Sequence, residues 1–138
     1  MTHHLFKLGA ALSLGLAATL AQAASNPLSV HVLDLQSGQP SPGVRVDLER
    51  QHAQGSWTKL GSAVTDAQGR IRDFFPSHAQ WSAGQYRVVF RTGEFYAERK
   101  QATFFPEVPV VFKVDDASQH YHIPLLLSPY GFSTYRGN

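Results

Sequence analysis

The chain of 138 residues contains no cysteine. A disulfide framework is therefore excluded, and in an exported protein packing and association between copies must supply the stability that cross-links would. Nor is there an excess of charge of one sign. Twelve Lys and Arg stand against ten Asp and Glu, a formal net charge of +2, which gives no electrostatic footprint for nucleic acid or a membrane surface. The apolar run from Leu8 to Leu20 falls short of the ~20 residues needed to span a bilayer. With Lys7 before it and Ala21-Gln22-Ala23 after it, it reads as a secretory signal peptide cleaved after Ala23. The expectation is a periplasmic protein with no membrane contact in its mature form and one domain, residues 24–138, long enough for a hydrophobic core. A G-x-S-x-G turn is also missing around Ser128 and Ser133, so nothing supports a nucleophilic serine.

What is present is alternation. Leu28 to Asp34 (LSVHVLD) sets Leu28, Val30 and Val32 on one face and Ser29, His31 and Leu33 on the other, so His31 points away from the core. Val44, Val46 and Leu48 form the inward set of a second strand, Trp57 to Val64 follows a polar turn at Gly55, and Tyr86 to Arg91 alternates again. Thr65-Asp66-Ala67-Gln68-Gly69-Arg70 is a tight turn: Asp accepts from amides two residues on, and Gly takes the left-handed conformation that releases the chain into Arg70. Thr92 is expected to cap one short helix over Gly93 to Lys100, with Glu94 in its first turn. Pro106 and Pro109 delay the next strand to Val110 to Val114. Seven to eight short strands, turns rich in Gly and Pro, and no crossover helices predict an all-β antiparallel sandwich.

The last stretch, His120 to Asn138, reads HYHIPLLLSPYGFSTYRGN. Ser128-Pro129-Tyr130-Gly131 supplies the fixed φ and the positive φ of a hairpin turn between strands over His120 to Leu127 and Phe132 to Arg136. Tyr121, Ile123, Leu125 and Leu127 make the core face, which leaves His120, His122, Pro124 and Leu126 on the other. Proline cannot donate to a ladder, so Pro124 belongs at an edge or a bulge.

HYHIPLLLSPYGFSTYRG, the LSVHVLD strand and the T-D-x-x-G-R turn at Thr65 to Arg70 together resemble the signatures of the 5-hydroxyisourate hydrolases, the transthyretin-like enzymes of urate breakdown. One departure is Asn138, where that family has Ser. The resemblance spans nearly everything after residue 27 and implies a transthyretin-like sandwich that hydrolyses 5-hydroxyisourate to 2-oxo-4-hydroxy-4-carboxy-5-ureidoimidazoline without a cofactor. Carried over residue by residue, it implies His31, Arg70 and His122 as catalytic groups. Substrate would be held by His31, Arg70, Tyr135, Arg136, Gly137 and Asn138. It also implies a homotetramer, a dimer of dimers, with sites in the channel where dimers meet. Transthyretin itself resembles the chain in LLSPYGFST but lacks the His-Arg-His set, so a small-ligand carrier without turnover is the alternative.

Those residue types suit the chemistry independently. Hydrolysis of a ring amide needs a base for water, a donor for the oxyanion and a proton for the leaving nitrogen. A histidine of ordinary pKa ~6.5 serves as base and acid near neutrality, and a planar guanidinium fits the oxygens of a urate-like molecule. A second reading of the same residues is a zinc site built from His31, His120 and His122. Otherwise His120 is a solvated or supporting group.

Overall fold

The computed structural model describes residues 24–138; the expected signal peptide lies outside the described residues. The alternating stretches become strands β1 (Leu28–Asp34), β2 (Arg45–Gln51), β3 (Trp57–Val64), β4 (Arg70–Ile71), β5 (Gly84–Phe90), β6 (Val108–Val114), β7 (Tyr121–Ser128) and β8 (Gly131–Thr134), with one helix, α1 (Thr92–Glu98), between β5 and β6. They form two four-stranded sheets, ordered β4-β1-β7-β8 and β3-β2-β5-β6. Each sheet turns its apolar side inward. Leu28, Val30, Val32 and Leu125 from the first meet Val46, Leu48, Val88 and Phe90 from the second, all fully buried. Burial of such side chains, worth roughly 1.5–3 kcal/mol each, therefore determines which side chains are left facing outward. Among the described residues no helix is long and apolar enough to cross a membrane.

The ladders are antiparallel with one exception. β1 and β7 run parallel over their whole length, from Leu28↔Tyr121 to Asp34↔Leu127, a pairing that local hairpin signals cannot reveal because the partners are far apart in sequence. Three other details depart from the sequence expectations. Thr92 does not cap α1: it is the first helical residue and has no exposure, Arg91 takes the cap position without a side-chain bond, and the Thr92 hydroxyl instead donates to the Phe105 carbonyl at 2.6 Å. β6 begins at Val108 and contains Pro109, which pairs with Val89; it is tolerated because β6 is an edge strand. The final strand ends at Thr134 rather than Arg136.

Pro124 accounts for that early end. In β7 the Tyr121 amide donates toward β1, to the Pro27 carbonyl, whereas the His122 carbonyl faces β8 and accepts from the Gly137 amide. By alternation position 124 also faces β8, and proline has no N–H to give. The ladder stops at Leu125↔Thr134 and returns in the same register at His122↔Gly137. In the gap the Thr134 hydroxyl donates to the Pro124 carbonyl at 2.8 Å, so that acceptor is satisfied. Pro124 is thus neither at an edge strand nor at a bulge; it sits in a central strand where one ladder bond is given up.

Candidate active site

The outer face of the first sheet collects the chemistry. His31 on β1 lies directly opposite Arg70 on β4, and directly opposed residues share a face. On the other side of β1, Ser29 is paired with His122 of β7. The ring centres of His31 and His122 are 6.5 Å apart, with a 30° tilt between their planes. Beside them lies an open depression of about 500 Å³ lined by Ser29, Val30, Arg70, Arg72 and His120.

The turn before Arg70 is built to aim it. One carboxylate oxygen of Asp66 accepts from the amides of Gln68 and Arg70, each at 2.9 Å. Gly69 has φ +71°, and a Cβ there would sit 2.5 Å from the Val32 carbonyl, the residue whose amide bonds the Gly69 carbonyl at 2.8 Å. Glycine is required by both conformation and space, and the close approach docks the turn onto β1 next to His31.

Electrostatically the face favours neutral imidazoles. Burial, then the Arg70 charge, lowers the pKa of His31 below 6.5, against weaker opposing contributions from the Gln68 carbonyl and Asp66. His122 is lowered by burial first, then by Arg70, His31 and His120. The lowered values favour the neutral imidazole at both positions, the form able to take a proton.

At the C-terminal end the site is shaped by contact. A Cβ on Gly137 would overlap the His122 ring, so only glycine lets this segment lie against the imidazole. Register places Tyr135 opposite Pro124, and its side chain is largely exposed. Arg136 is not brought to the histidines within this chain. Its guanidinium donates to the Gln119 side chain at 2.7 Å and lies 5.0 Å over the Tyr121 ring. Asn138 follows Gly137 and is exposed. His31, His120 and His122 do not converge as ligands: among the described residues no three His, Asp or Glu side chains form a group that could hold a metal ion. Ser29 and Arg72 were not singled out from the sequence. Their signals were the outward parity of Ser29 in LSVH and of Arg72 two residues after Arg70.

The fold and this face define a transthyretin-type sandwich carrying an outward His-Arg-His set. The chain belongs to the HIUase/Transthyretin family, whose model matches residues 28–137. It is 52% identical over 116 residues to the 5-hydroxyisourate hydrolase of Salmonella typhi, covering 84% of each chain. To the mouse 5-hydroxyisourate hydrolase it is 39% identical over 115 residues, 83% of this chain and 97% of the other. Among solved structures, Klebsiella pneumoniae 5-hydroxyisourate hydrolase matches with a TM-score of 0.70 at 37% identity, over 82% of this chain and 99% of that one. Transthyretin from Sparus aurata matches with 0.74 at 34%, over 80% and 96%. An enzyme and a transthyretin fit the backbone equally well, so the side chains of the site must separate the two activities.

Proposed function

We propose that this protein is a hydrolase that opens 5-hydroxyisourate in urate breakdown, without a resident metal or cofactor. The observation that carries the reading is the placement of His31, Arg70 and His122 on one sheet face, together with relatives named for that activity at 52% and 39% identity over most of the chain. A neutral histidine takes a proton from water as its oxygen attacks the ring carbonyl. The Arg70 fork holds the resulting oxyanion, and the imidazolium returns the proton to the ring nitrogen as the C–N bond breaks. Tyr135, Gly137 and Asn138 border the substrate, and Arg136 joins them by leaving Gln119.

The mature form is a periplasmic homotetramer that begins near Ala24. Support for association comes from Phe104, Tyr130, Tyr135 and Val111, all more than half exposed, and from the free edges of β6 and β8. Light scattering at micromolar concentration should give four copies; a monomer would contradict this. Loss of absorbance of freshly made 5-hydroxyisourate, accelerated by the protein and unaffected by chelator, tests the activity. Saturable binding of that molecule without turnover would establish the carrier instead.

A further inference from the structure

Ser29 stands between two histidines. Its hydroxyl oxygen is 2.7 Å from His122 Nδ1 and 2.9 Å from His120 Nε2, while His120 Nδ1 is 3.0 Å from the backbone carbonyl of Asn26. The Asn26 side chain is occupied elsewhere, bonding the backbone of Phe75 and Leu28, so the carbonyl is what it offers His120.

A carbonyl can only accept, and that one restriction orders the whole chain of bonds. His120 must donate through Nδ1–H, which in a neutral imidazole makes Nε2 an acceptor. Ser29 then gives its only proton to His120 Nε2, and its oxygen is left to accept. His122 must supply that bond from Nδ1–H, which leaves its lone pair on Nε2. We propose that Ser29 is a positioning residue which, through His120 and the Asn26 carbonyl, holds His122 in the Nδ1–H tautomer and keeps Nε2 as its basic nitrogen. This rests on the reading of His122 as a base in the hydrolysis. The role parallels that of any group that orients a catalytic imidazole by accepting from its other nitrogen. The parallel β1–β7 register supplies the geometry, since it sets Ser29 against His122.

The test is ¹⁵N NMR of histidine-labelled full-length protein at neutral pH, read alongside kcat and KM. Wild-type His122 should show a protonated Nδ1 and an unprotonated Nε2. Ser29→Ala should move part of the population to Nε2–H and lower kcat by about tenfold with KM within about twofold, a fraction of the ~10²-fold of a general base. Ser29→Thr, which keeps a hydroxyl, should restore both. His120→Asn leaves Ser29 in place and should shift the tautomer balance in the same direction to a smaller extent. An Nε2–H His122 in wild type, or a tautomer and kcat indifferent to both Ser29→Ala and His120→Asn, overturns the proposal. If the tautomer shifts as expected but wild type does not hydrolyse 5-hydroxyisourate, the positioning stands and the proposed function falls.

Discussion

The two sheets present outer faces of opposite character. On the second sheet, Asp47 points away from the apolar core yet is 1% exposed, because Lys59, Arg91 and Arg45 close over it at 3.0, 2.6 and 3.8 Å. Arg45 also pairs with Glu94, Arg91 with Glu107, and Arg87 with Glu49 while lying 4.4 Å over the Trp57 ring. Nearly every cation there has a carboxylate. On the first sheet, Arg70, Arg72 and His120 line a depression whose lining contains no acidic residue. Neutralised charges make a solvated wall, whereas cations without a directly paired carboxylate beside neutral bases make a place for an anionic, proton-exchanging ligand.

The largest effects expected are on the histidine face. His31→Asn and His122→Asn should each lower kcat by ~10²-fold or more, and the double variant should be little worse, because residues sharing one proton transfer are not additive. Arg70→Lys should approach the same loss, since an ammonium keeps the charge without the fork. Additive losses in steady-state kinetics would mean the two imidazoles work independently. Gly137→Ala comes next: the added methyl must displace the His122 ring, and a loss of about tenfold in kcat, ~1.4 kcal/mol, is expected with the thermal midpoint nearly unchanged.

On the other face the expectation reverses. Asp47→Ala should leave activity alone and cost about 1–2 kcal/mol in denaturant unfolding, kept small because the cations around it are 29–51% exposed and can return to water. A change in kcat would show that the faces are coupled through the core. The two faces should also fail at different pH. For His31 and His122 the folded pKa lies below 6.5, so the unfolded chain binds more protons and stability falls as pH drops below about 6.5. Burial acts most strongly on Asp47 and pushes its pKa up, but hydrogen bonds from Ser62, Lys59 and Arg91 together bring it down to about 2. Its contribution is present above about pH 4 and is lost as pH falls toward 2. Unfolding measured from pH 7 to 2 should therefore show two declines, with His122→Asn flattening the first and Asp47→Ala the second.

How much of this was legible in the sequence depends on the range of the interaction. Inward and outward sets at Leu28 to Asp34 and Tyr121 to Leu127 followed from period-two alternation, and the Thr65 to Arg70 turn from Asp and Gly chemistry, because both are local. Ser29 was outward by the same parity, but its partners lie more than ninety residues away, and only the parallel β1–β7 register brings them together. Thr92 looked like a cap because cap preference is local, whereas the Phe105 carbonyl that takes its hydroxyl belongs to a later loop. Arg136 was implied together with Tyr135 by the family resemblance, whereas its bond to Gln119 within this chain was not legible, because neighbours in an extended segment face opposite ways.

The smallest effect expected concerns the boundary of the histidine face at Pro124. Pro124→Val adds an N–H directed at β8, where Tyr135 lies in register, so the ladder can run unbroken from Ser128 to His122. The new hydrogen bond is worth ~1 kcal/mol, and loss of the proline's restriction on the unfolded chain offsets ~0.4–1 kcal/mol of it. The net change in unfolding free energy should thus stay within about 1 kcal/mol, while the amides at positions 124 and 135 gain hydrogen-exchange protection. Activity decides what the interruption is for. If kcat is retained, the gap is a tolerated fault in a central strand. A fall in kcat with His122 unmoved would mean that Tyr135 and Arg136 need the freedom the missing bond leaves them, which is what a substrate contact by Arg136 requires, since its guanidinium must first leave Gln119.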